Sequence, residues 1–414
     1  VSAPLRTVEE HLAHVLSETV PTRAEALPVA DAHGRTLQTA VRAAVPIPVF
    51  DNSAMDGFAV RFADVADAGP GHPVTLRVVA DLPAGTDLDP ALGTGEAARI
   101  MTGSPVPASA DAIVPFEDTE DGLADSLTTT VVLRAPHAAG AHIRRRAADA
   151  SAGDEIVPAG VLLGPLQLAA AAAAGVATVS VHARPRVAVV STGSELVAAG
   201  LPLRRGQIPE SNGQLLAALA VDAGADVVLR TSVDDTDAAF LDALGRAADA
   251  GADVVITSGG VSAGAFEVVK NVLQGSDVAF SKVAMQPGKP QGFGRLASGA
   301  LLFGLPGNPV SSAVSFEVFV RPALLRMQGR TQIHRPVLRV PAASAWRTPP
   351  GRRQYLPAAL DRTDPARWTV GPATSGGSGS HLAGALARAE AYAVVPAETD
   401  TVAVGDLVDV MLIP

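Results

Sequence analysis

Three stretches decide the fold: VAVVSTGSE at 187–195, DVVITSGGVSAG at 253–264 and LLFGLPGNP at 301–309. Each opens with an aliphatic run, short and bounded by turn residues, then breaks into glycine beside Ser, Thr, Pro or Asn. Such runs predict strands buried on both faces, here 187–190, 253–257 and 301–305. The spacing predicts another strand over 226–229 and helices over 212–221, 236–248, 266–273 and 309–320, the last ending near Pro322. Strand and helix alternating in this way predict a mostly parallel sheet covered on both faces. Its sites are expected beyond the carboxyl ends of the strands.

Outward from this α/β unit, placed at 184–329, the pattern changes twice. Residues 1–39 read as helical: Thr7 with Glu10 three residues later is a capping-box signature, and Leu12, Val15 and Leu16 follow as an apolar stripe. From 43 to about 141 the chain is rich in Pro and Gly, with short strands predicted at 74–79, 97–101, 112–115 and 128–133. Helical character returns over 166–174, before a strand at 177–181. A β-rich domain, 43–142, is therefore expected as an insertion into a helical or mixed domain made of 1–42 and 143–183. Residues 330–414 read as a C-terminal β domain, with strands at 337–340, 368–370, 391–395 and 407–413 and a helix near 382–387. The expected class is multidomain α/β and β.

Composition sets the outer limits. The 414 residues, 48% of them hydrophobic, are too many for one ordinary core. With 32 Lys and Arg against 42 Asp and Glu, the net charge of −10 argues against nucleic acid as the main partner. There is no cysteine, which excludes disulfides, thiolate nucleophiles and cysteine-held metals. The stretch 156–182 holds no Asp, Glu, Lys or Arg, but its prolines, glycines and alanines do not make a membrane span. The first 18 residues lack the order of a signal peptide. A cytoplasmic protein without membrane contact is expected. No GK[ST] follows a glycine-rich run, the 259–264 loop lacks dinucleotide-fingerprint spacing, and no HExxH is present.

The three strand ends supply the candidate ligand-binding residues Thr192, Gly193, Ser258, Gly259, Gly260, Ser262, Pro306, Gly307 and Asn308. Glycines permit close backbone approach, and exposed amides suit phosphate or another anion. The same residues also read as ordinary tight turns with packing glycines. Glu195, Asp235 and Glu267 beside these loops are candidate Mg²⁺ ligands. The pair Asp234–Asp235 equally reads as a helix cap before Thr236, and Glu267 as a favourable first-turn charge. Lys282 and Lys289 flank a turn, with Lys289 constrained between Gly288 and Pro290. In the β domain, 51–59 and 101–107 are compact polar elements able to reach a site on another domain or subunit. Arg144, Arg145 and Arg146 form a basic spot too short for a nucleic-acid face.

At these residues the chain resembles the MoeA-type molybdopterin molybdenumtransferases, a family related to the E domain of gephyrin. Residues 51–59 are similar to its D-x-S-x-MDG-[YF]-A element and 100–114 to its I-x-TG-x-P-x-P-x-x-ADA-x-V element. Residues 192–196, Asn212, Asp234–Asp235, 258–264, 286–290 and 305–310 follow in the family's order. The resemblance implies a three-layer α/β molybdopterin-binding domain, a four-domain subunit and a homodimer. It implies Mg²⁺-dependent insertion of molybdate into adenylylated molybdopterin, with release of AMP. By position it assigns Asp56, Thr102, Glu195, Asp235, Glu267 and Lys282 to catalysis. Ser262 and Asn308 are expected to face the pterin or nucleotide, and Ser380 to lie in the glycine–serine element of the C-terminal domain. Molybdopterin adenylyltransferase and molybdenum apoenzymes are implied as partners. Three departures stand out: Glu267 where Asp is frequent, Gln286 where some members have Lys, and Ala147 where Gly is usual. A molybdopterin adenylyltransferase-like enzyme and a non-catalytic cofactor-binding scaffold are the alternative readings.

Overall fold

The computed structural model describes residues 5–122, 127–261, 268–374 and 383–413. Its centre is a six-stranded sheet of β1 (Arg186–Thr192), β2 (Asp226–Val233), β3 (Val254–Ser258), β4 (Val278–Lys282), β5 (Pro290–Arg295) and β6 (Leu301–Leu305), in the order β2-β1-β3-β6-β5-β4. The first four of that order run parallel. Strand periodicity sorts β1 between two cores. Val187 and Val189 pack with α1 (Asn212–Asp222) and the chain from Val310 to Met327, whereas Ala188 and Val190 pack with α2 (Asp237–Asp249) and α3 (Val268–Val272). The result is the expected three layers.

Two features of this α/β unit depart from the sequence reading. The stretch 278–295 is an antiparallel hairpin, β4 on β5 and β5 on β6. Its glycines hid it: a Cβ on Gly294 would sit 2.1 Å from the Asp277 carbonyl, so close strand approach replaces the side chains a strand pattern needs. Nor does the helix end near Pro322. After α4 (Pro309–Ser315) it widens into a π segment, Phe316–Val320, and resumes as α5 (Arg321–Met327). The wider turn absorbs the missing proline N–H, and Pro322 falls in the first turn of α5.

The N-terminal helix Val8–Ser17 carries the expected capping box: Thr7 Oγ1 accepts from Glu10 N at 3.1 Å and Thr7 N donates to the Glu10 carboxylate at 2.8 Å. The helical reading of 1–39 fails after that, because Ala24–Pro28 is a strand paired antiparallel with Thr178–His182. Val41–Arg42 likewise pairs with Glu155–Val157. Between them the chain makes a five-stranded sheet of Ala112–Pro115, Gly57–Val60, Glu96–Ile100, Val74–Leu82 and Thr129–Val132, in that order. The uncharged stretch contains the nine-residue helix Pro165–Ala173, and among the described residues no helix is long and apolar enough to cross a membrane.

The C-terminal sheet is built on Arg353–Asp361, a strand the sequence reading missed because Pro357 interrupts it. Its start pairs in parallel with Met285–Gln286, which docks this sheet beside the α/β unit. A partly buried ion pair ties down the chain leading into this sheet: Glu317 in the π segment accepts from Arg335 at 2.9 and 3.1 Å.

Candidate active site

The carboxyl ends of β1, β3 and β6 open into one cavity of about 1260 Å³. Asn212, the first residue of α1, ties its loops together. Its Nδ2 donates to Ser258 Oγ at 2.7 Å and to the Gly307 carbonyl at 2.6 Å. A carbonyl only accepts, so the amide orientation is fixed. That leaves Asn212 Oδ1 buried without a partner among the described residues, on a side chain that lines the cavity. Gly259 closes the same corner. Its N–H donates to Leu305 O at 3.0 Å, its φ is +97°, and a Cβ there would lie 2.6 Å from the Thr192 carbonyl. Only glycine fits.

The carboxylates are fixed by their neighbours. Glu210 accepts from Ser191 Oγ at 2.9 Å and from Gly213 N at 2.6 Å, bracing the start of α1. Asp235 accepts from Ser194 N at 2.9 Å, while Ser194 Oγ accepts from Asp235 N at 3.2 Å, so the loops after β1 and β2 hold each other. The adjacent Asp234 turns away to cap Thr236, which in turn caps α2. The two readings of the Asp234–Asp235 pair therefore divide between its two members. On the opposite side, Gln291 Nε2 donates to Gly288 O at 2.6 Å and Ser315 Oγ at 2.7 Å, which fixes the turn carrying Lys289.

Sheet order segregates charge across the cavity. Glu195, Glu210 and Asp235 follow β1 or adjoin β2, at one side; Lys289 precedes β5 and Arg352 comes from the C-terminal sheet, at the other. One wall suits a cation and the other an anion. Among the described residues no group of three or more His, Cys, Asp or Glu is arranged to hold a metal unaided.

Of the residues expected from sequence, Thr192, Gly193, Glu195, Asp235, Ser258, Gly259, Gly260, Lys289, Pro306, Gly307 and Asn308 line this cavity. Asp56, Thr102 and Lys282 do not. Asp56 and Thr102 meet in the inserted β domain: Thr102 N and Oγ1 donate to Asp56 Oδ1 at 2.6 and 2.8 Å, and these bonds hold the carboxyl below the usual carboxylate range. Lys282 ends β4 outside the lining, because Val283 N bonds Lys289 O at 2.7 Å and folds the intervening turn inward. Ser262, Glu267 and Ser380 lie outside the described residues. Sequence reasoning missed Glu210 and Arg352. Glu210 carries a signal, an acid three residues before Gly213 at a helix start; Arg352 carries none.

Family models match nearly the whole chain in order: the MoeA N-terminal region (domain I and II) over 6–175, a probable molybdopterin binding domain over 188–326, and the MoeA C-terminal region (domain IV) over 339–413. Molybdopterin molybdenumtransferase 2 of Mycobacterium tuberculosis is 43% identical over 408 residues, covering 97% of this chain and 98% of that protein. The chain belongs to the molybdopterin molybdenumtransferase family. A Nostoc molybdopterin molybdenumtransferase is 36% identical, over 92% of this chain and 87% of its own length. The crystal structure of the molybdopterin biosynthesis moeA protein of Pyrococcus horikoshii OT3 superposes with a TM-score of 0.83 at 26% identity, covering 99% of this chain and all of that one. One departure from the molybdenumtransferase pattern now has a physical meaning. Ala147 adopts φ +61°, a left-handed conformation that favours the glycine usual there.

Proposed function

We propose that this protein inserts molybdate into adenylylated molybdopterin and releases AMP. The observation that carries the reading is Asn212, which gathers two glycine-bearing loops on the lining of a large cavity that also holds Lys289 and Arg352 on one side and Glu195 and Asp235 on the other. At about 1260 Å³ the cavity exceeds the usual volume of a drug-sized pocket, leaving room for a nucleotide-linked pterin with an oxyanion beside it.

Lys289 and Arg352 bind and orient the anionic groups, and Gly260 and Gly307 bring the backbone close to the same cavity. Asn212 holds the Ser258 and Gly307 loops in place around the substrate. Glu195 and Asp235 are the residues that would hold Mg²⁺, which commonly takes one or two carboxylates and completes its shell with phosphate oxygens and water. When bound, it supplies charge neutralisation at the phosphoanhydride. No cysteine is required, because the pterin brings the dithiolene sulfurs to the molybdate. Asp56 and Thr102 act from outside this lining, as residues that a second subunit of a homodimer would bring to the cavity.

The test supplies adenylylated molybdopterin, molybdate and Mg²⁺ and follows AMP release together with activation of a molybdenum apoenzyme. Both are expected. ATP consumption with pyrophosphate release would instead identify an adenylyltransferase, and binding without AMP release a scaffold.

A further inference from the structure

Residues 5–17 contribute nothing to the lining of the cavity, yet they are bonded to the wall that carries its cations. Arg6 N donates to Lys282 O at 2.9 Å and Ala284 N donates to Arg6 O at 2.8 Å, a parallel bridge to the stretch leading into the Lys289 turn. The capping box starts the helix at once, so the bridge also sets where the helix lies. Its seat is fixed by His11, whose ring stands edge-on to Phe293 of β5 and Phe319 of the π segment, at 6.4 and 4.7 Å. From that helix Glu9 forms an ion pair with Arg353. Arg353 N donates to Ala284 O at 3.0 Å, which closes a circuit from 284 through Arg6, Glu9 and Arg353 back to 284.

The neighbour of Arg353 is Arg352. It lines the cavity, is half-buried, and has no hydrogen-bond or ion-pair partner among the described residues. Arg352 stands in the bend immediately before the strand Arg353–Asp361, so tethering Arg353 to Glu9 and to Ala284 O fixes the backbone from which Arg352 projects. An arginine carries substantial rotamer freedom, and a fixed backbone reduces what must be ordered when an anion binds.

We infer that residues 5–17 form a positioning strap for the anion-binding wall, and that Glu9, through Arg353, sets where the Arg352 guanidinium stands. The inference rests on the reading of the cavity given above. It assigns a role to Glu9, an exposed residue that touches no substrate.

The experiment measures affinities for molybdate and for AMP separately by calorimetry, with steady-state kinetics and thermal melting, on Glu9→Gln, Glu9→Asp and Arg352→Ala. Arg352→Ala is expected to weaken at least one of the two ligands. Glu9→Gln is expected to weaken the same ligand about three- to fivefold, a loss of the size an exposed ion pair can govern. KM should rise with kcat nearly constant and the melting temperature little changed, and Glu9→Asp should recover part of the loss. Charge alone predicts the opposite sign, because removing a carboxylate near an anion site strengthens binding. Unchanged or tighter binding in Glu9→Gln, with weaker binding in Arg352→Ala, overturns the strap. Unchanged binding of both ligands in Arg352→Ala removes the cavity reading and the strap with it.

Discussion

The central sheet carries charged residues at both of its ends, and the two ends differ in what they leave unsatisfied. Beneath the amino ends of the strands lies a cavity of about 470 Å³ lined by Arg23, Arg35, Arg184 and Arg186 with Glu25, Asp226 and Asp253. There, most charges answer one another. Arg35 pairs with Glu25 and donates to His182 O, Arg184 lies 3.6 Å from Asp226, and Arg186 donates to Ala250 O at 2.6 Å while its N–H bonds Asp253 at 2.8 Å. At the carboxyl ends the chain holds its loops together and then stops short. Lys289 and Arg352 line the larger cavity with no side-chain partner among the described residues. Charge density does not distinguish a ligand site from a structural seam. Polar groups left over, and still accessible, do.

The strongest way to break this comparison is at Asn212. Asn212→Ala removes the tie between Ser258 and Gly307, and should lower kcat/KM for AMP release about 100-fold, the scale of losing one preorganising polar contact in an active site. Activity within threefold of the parent would show that the tied loops do not form the site.

His11 sharpens the comparison, because its Nδ1 is orphaned yet sealed from any ligand at 2% exposure. Burial first, then the charges of Arg6 and His14, push this imidazole down to about 4. The unfolded group takes its proton near 6.5. Between those values the unfolded chain binds more protons, so stability is lost as pH falls through that window. From pH 7 to pH 5 the loss from this group should be about 2 kcal/mol. Denaturant titrations of the parent and His11→Leu at both pH values check this, and equal pH slopes would refute it.

The inserted β domain resembles the amino end of the sheet in that its acids are matched: Asp51 accepts from Arg145 at 2.6 Å and from Arg146 N at 2.7 Å, and Asp56 accepts from Thr102. Its anomaly is backbone strain, since His142 at φ +59° and Ala147 at φ +61° bracket the arginine triplet. Ala147→Gly should stabilise the protein by about 1 kcal/mol, read as a higher melting temperature. A lower one would mean that the extra freedom of the unfolded glycine outweighs the strain relieved. The smallest effect belongs to the amino end itself. Arg184→Ala should leave turnover within about twofold and stability within about 1 kcal/mol, because its ion pair is half-exposed. A large loss of activity there would erase the distinction between the two ends.

Much of this was legible because the decisive signals are local. Aliphatic runs stopping at Gly193, Gly259 and Gly307 read directly as strands ending in turns, and all three loops line the cavity. What stayed hidden depended on partners far along the chain. The β4–β5 hairpin has glycines where a strand pattern needs side chains, and Pro322 reads as a stop unless the preceding turn widens. Asp234 and Asp235 are indistinguishable as letters, yet one holds Thr236, the cap of α2, and the other lines the cavity.

By itself the sequence determined the alternation of strand and helix, the turn chemistry at the strand ends and the absence of protein thiols. Each is a property of a few adjacent residues or of composition. Only the tertiary structure decided that Arg352 joins Lys289 on one wall, that Glu210 and Asn212 brace the other, and that Asp56 satisfies Thr102 away from the cavity. Those relations depend on which distant surfaces pack together, and packing is set by the summed fit of many side chains rather than by any local spacing.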